Sequence, residues 1–227
     1  MLILQELILV SYGTSIITVK VGRKENSKTF TVHENLLTKY SDFFRTALNG
    51  QWAESKTNSV LLPQHNPESF SIFTQYLYDG QIYSAKDDED DRVTAGADWE
   101  WLRLLEAWRL GDSLLAPSFN DAIVDVVIAK IHQSDRYPIG MVKHTHYFGG
   151  KSAGLRRLSL DIAIWVWEDE DYDTQLNDVP HEFLVDLAEA LGKTREAGRK
   201  GEDPLENAGC RYHDHVAEGK PCYETMF

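Results

Sequence analysis

The chain predicts an α+β fold, a small sheet with surrounding helices followed by an α-helical C-terminal lobe. Three observations carry this. Ile17, Val19 and Val21 alternate with Thr18 and Lys20, and Phe30 and Val32 alternate with Thr29 and Thr31, which is the period of two of half-buried strands. The polar stretch RKENSK between them reads as a turn, so the pair is a hairpin. Beyond a third short apolar run, Val60 to Leu62, helical spacing recurs to about residue 192.

The elements follow in order. Ser41 is placed to cap a helix whose apolar positions are Phe44, Ala47 and Leu48, with Gly50 just past its end. Pro63 stops the third strand. Asn66 and Pro67 open a helix, the first as a capping side chain and the second as a residue whose missing N–H costs nothing there. Phe70, Phe73 and Leu77 form its stripe and Gly80 ends it. AKDDEDDRVTAGAD is acidic and poor in apolar residues, and reads as a solvated surface loop rather than a calcium loop, whose ligand spacing it lacks. Trp101, Leu104, Leu105, Trp108 and Leu115 then share a helical face. Pro117 separates that helix from one carrying Phe119, Ile123, Val126, Val127 and Lys130. Residues 135–155 read as irregular. Leu155, Leu158, Ile162 and Trp165 mark a further helix, and Asp178 and Pro180 open another carrying Leu184, Leu187, Ala188 and Leu191, with Gly192 as its stop.

Composition bounds the function. With 227 residues and 42% hydrophobic content, the chain can bury a sizeable core. A net charge of −13 disfavours binding to nucleic acid or to an anionic membrane surface, both of which attract basic proteins. Two cysteines are too few for a disulfide framework, which points to a reducing compartment, cytoplasmic or nuclear. MLILQELILV is apolar, but it is too short for a span and lacks the positive flank of a signal peptide, so it reads as an extra packed strand or helix. No Gly-x-Ser-x-Gly elbow, His-Glu-x-x-His motif or phosphate-binding glycine loop is present, and no enzyme is expected. His33 reads as a helix-start histidine that bonds locally and packs in the core.

The ordered motifs Phe30-Thr31-Val32-His33, Ser41-Asp42-Phe43-Phe44-Arg45, Glu54-Ser55, Leu62-Pro63 and Tyr78-Asp79-Gly80 resemble a BTB/POZ domain. Leu155-Arg156-Arg157-Leu158 and Cys210-Arg211-Tyr212-His213 extend the likeness to the BTB proteins expanded in filamentous fungi. The resemblance implies an N-terminal extension (1–13), a BTB/POZ domain (14–133) with an acidic loop at 84–98, a helical lobe (134–192), and a linker with a Cys/His tail (193–227). It implies a protein-binding function, as a substrate adaptor for a cullin-type ubiquitin ligase or, alternatively, as a structural or transcription-associated oligomerisation module. Trp52 and Glu54 occupy the place of the hydrophobic-x-Glu motif by which such adaptors contact a cullin; otherwise Trp52 folds back on its own domain. Dimeric members carry an Asp early in the first strand, where this chain has Ile16 or Ile17, so homodimerisation is left open; the N-terminal segment could instead supply a swapped strand.

The tail offers a candidate zinc ligand set, Cys210, His213, His215 and Cys222: two thiolates and two imidazoles within thirteen positions. The spacing matches no standard zinc finger. The alternative is a loop or hairpin packed on the helical lobe, with both cysteines reduced or loosely paired.

Overall fold

The computed structural model describes residues 12–49, 57–84, 99–134, 136–138, 140–146, 154–168, 171–172, 179–196 and 204–227. The expectations for the N-terminal segment, for Trp52 and Glu54, for the acidic run beyond Ser84 and for Asp178 lie outside these residues.

β1 (Ile16–Val21) pairs antiparallel with β2 (Lys28–His33) and parallel with β3 (Ser59–Leu62), giving the sheet order β2-β1-β3. The register aligns Val19 with Phe30 on one side and with Val60 on the other. Ile17, Val19, Val21, Val32, Val60 and Leu62 therefore all reach the buried face, while Ile16, Thr18 and Lys20 face outward.

Helices cover the buried face. α1 (Glu34–Tyr40) and α2 (Asp42–Ala47) meet at Ser41, whose Oγ accepts from the Phe44 amide and donates to the Leu114 carbonyl. α3 (Pro67–Asp79) starts where Asn66 accepts from the Glu68 amide. It ends at Gly80, whose φ of +75° is readily reached only by glycine. The α3 stripe of Phe70, Phe73, Tyr76 and Leu77 is fully buried, with Phe73 edge-on to Phe119 at 5.0 Å. α4 (Trp99–Ser113) packs on α3 and on α5 (Pro117–Ser134). The turn between α4 and α5 corrects one expectation. Leu115 takes a left-handed φ of +52° and is exposed, so Leu114 is the residue that enters the core.

The C-terminal part comprises α6 (Met141–His146), α7 (Gly154–Trp165), α8 (His181–Glu196) and α9 (His215–Glu218). α6 lies within the stretch expected to be irregular; six residues are too few for a readable period. In α8 the buried positions are Phe183 and Leu187, one turn apart, whereas Leu184 and Leu191 are exposed. Gly192 does not stop the helix, which continues to Glu196. Nothing approaches Gly192, so it carries only the modest cost of an exposed helical glycine. Val142, Ala163, Phe183 and Leu187 form a small second core beside the main one. The main core runs from the sheet through α5 and α7 to Leu205 and Tyr212 of the tail without a break. No described helix is long and apolar enough to cross a membrane.

Candidate functional site

The tail doubles back over the helices and brings Cys210, His213, His215 and Cys222 together. Cys210 sits on a single 3-10 turn, Gly209–Tyr212. His215 begins α9, and Gly219 in the left-handed region turns the chain so that Cys222 returns. One donor atom from each of the four lies within 4.8 Å of every other. His213 Nδ1 is 3.2 Å from His215 Nε2 and 3.8 Å from Cys222 Sγ. Four residues spread over thirteen positions thus converge on one point. Cys210 is exposed, Cys222 is half-buried and His213 is buried.

The outer nitrogen of each imidazole is engaged. His213 Nε2 bonds Asp125 Oδ1 at 2.8 Å, and His215 Nδ1 faces the Lys220 carbonyl at 3.1 Å. Asp125 also accepts from Tyr223 Oη at 2.6 Å. One turn earlier on α5, Asp121 accepts from the Asp214 amide at 2.8 Å. Asp214 in turn accepts from the Gly154 amide at the start of α7, and Arg157 donates to the His213 carbonyl. Arg211 and the buried Tyr212 both reach Asp161. These contacts set the local electrostatics. Burial alone would lower the His213 pKa, but the hydrogen bond and charge of Asp125 outweigh it and raise it to about 9. Burial pushes the Asp121 carboxyl up, against the lowering effect of the Asp214 amide.

The four tail residues named from spacing are therefore the four that the fold assembles. Sequence reasoning missed Asp121, Asp125, Asp214 and Tyr223. One signal was available: Asp121 and Asp125 are four apart, and every other residue from Ala122 to Ala129 is apolar, so two carboxylates share one face of the helix.

The remaining candidates separate from this cluster. His33 is half-buried and caps nothing with its side chain. Its Nδ1 lies 2.7 Å from Tyr78 Oη, 45 residues away, so its partner is tertiary rather than local. Trp52 and Glu54 fall between α2 and β3 in a segment whose flanks, Asn49 and Thr57, are exposed.

Compared with known proteins, residues 14–107 match the family model described as BTB/POZ domain. No curated protein matches the chain.

Proposed function

Residues 14–107 are a BTB/POZ domain, a protein–protein interaction module, and from that premise we propose that the chain is a substrate adaptor for a cullin-type ubiquitin ligase. The family match carries the reading. It is supported by the place of Trp52-Ala53-Glu54 in the sequence, between α2 and β3, where the described residues on either side, Asn49 and Thr57, are exposed. The chemistry suits a partner contact: a large aromatic fills an apolar pocket, and a nearby carboxylate accepts hydrogen bonds or pairs with a cation. The helical lobe is then free to choose the substrate.

Titration of the full-length chain against a purified cullin tests this. Wild-type protein should bind, and Trp52→Ala and Glu54→Lys should each abolish binding with little change in melting temperature. A Trp52 that served as a core anchor would instead cost about 3–5 kcal/mol of stability when truncated. Wild-type protein that fails to bind its cullin removes the adaptor reading and leaves the oligomerisation module as the working function.

A further inference from the structure

We propose that Cys210, His213, His215 and Cys222 hold one zinc ion in tetrahedral coordination, and that this ion closes the C-terminal tail onto α5 and α7. Three features of the tail support this, none of them dependent on the adaptor role.

The first is the donor set. Two thiolates and two imidazoles are the ligands of structural tetrahedral zinc, and four protein ligands leave no open position for catalysis.

The second is spacing. Zinc–nitrogen bonds of about 2.0–2.1 Å and zinc–sulfur bonds of about 2.3 Å put tetrahedral ligand edges near 3.3 Å for N–N and 3.5 Å for S–N. The His213–His215 edge is 3.2 Å and the Cys222–His213 edge is 3.8 Å.

The third is the outer layer. His213 donates its other nitrogen to Asp125, and His215 donates its own to a backbone carbonyl. With acceptors on the outer side, each imidazole keeps its outer proton when it gives up the inner one, and the lone pairs of His213 Nδ1 and His215 Nε2 then face each other. Two acceptor nitrogens do not rest 3.2 Å apart unless a proton or a cation stands between them. A proton would satisfy that pair alone; a zinc ion satisfies the pair and both sulfurs. On binding, the two thiol protons and the inner proton of His213 leave to solvent, and the two thiolates and two neutral imidazoles become ligands.

The ion would act as a clasp. Among the described residues between the four ligands, Tyr212 is the one large side chain that is fully buried. Polar ties run to Asp121 and Asp125 of α5 and to Gly154, Arg157 and Asp161 of α7, and beyond Cys222 the rings of Tyr223 and Phe227 meet Tyr76. A metal that fixes both ends of the loop at once holds those contacts in register.

Full-length protein purified under reducing conditions, without chelator, should carry about one equivalent of zinc. Exchange with cobalt(II) should give the visible absorption of tetrahedral cobalt with a thiolate charge-transfer band. Cys210→Ser and Cys222→Ser should lose the metal and expose the tail to protease. Asp125→Asn keeps all four ligands and should hold zinc about 10–100-fold more weakly. Three results would overturn the proposal: wild-type protein that neither contains nor takes up zinc(II) or cobalt(II), equal metal content in the two serine variants, or a Cys210–Cys222 disulfide that persists in reductant.

Discussion

His146 is held neutral by its surroundings. It ends α6 almost fully buried, its Nδ1 faces the Val142 carbonyl at 3.2 Å, and its ring meets Phe183 edge-on at 5.3 Å. Burial is the main cause that lowers its pKa, and Arg156 on α7 adds to it, against smaller opposing effects from Asp186 and Glu182 on α8. The unfolded chain takes up a proton at this residue below about pH 6.5, while the folded chain resists it until a lower pH. The unfolded state then binds more protons, so stability falls as pH drops through that window. His65 and His144, also lowered chiefly by burial, act in the same direction. The clean measurement is therefore a difference between a His146 variant and wild type. His146→Phe should gain stability relative to wild type as pH falls from about 7.5 to about 5.5. A difference independent of pH in denaturant unfolding would show that His146 does not resist protonation.

At the level of elements, Gly154 is where the tail meets α7. A Cβ there would lie 1.9 Å from the Tyr212 carbonyl oxygen, a backbone atom that cannot turn aside. Gly154→Ala should therefore lift the tail off α7 at a cost of about 1–3 kcal/mol, typical of overpacking. Limited proteolysis should then cut near residue 212 while circular dichroism still reports the helices; a tail as resistant as wild type would contradict the contact. Which elements were readable beforehand follows from how local their signals are. Ser41, Asn66-Pro67 and Gly80 act within a turn of their own position, and all three end or begin helices as expected. The hairpin declared itself through alternation. The parallel pairing of β3 with β1 did not, because strand order is set by packing across some 40 intervening positions rather than by any residue in the strands. Leu114 and Leu115 were indistinguishable until the left-handed turn chose between them. Likewise, ligand spacing picked out the tail quartet, but the carboxylate behind His213 stands 88 residues away, beyond the reach of any spacing rule.

The whole molecule carries a net charge of −13, and the start of β1, where the resemblance to dimeric BTB domains calls for an aspartate, holds the apolar pair Ile16 and Ile17. An apolar side chain cannot make that charged pair, and copies of this chain repel one another at low salt. Light scattering at low micromolar concentration and low salt should give the monomer mass, with at most weak association as salt is added; a stable dimer under the first condition would refute this. The tail's polar ties to α5 also have a temporal side. A ribosome making about 5–20 residues per second needs about 4–18 s to travel the 88 positions from Asp125 to His213. Throughout that interval Asp121 and Asp125 have been made and their eventual partners in the tail have not. The nascent protein thus passes through a stage in which residues 14–107 are complete but two carboxylates of α5 still lack the tail that covers them, and it is during those seconds that chaperones would have most to hold.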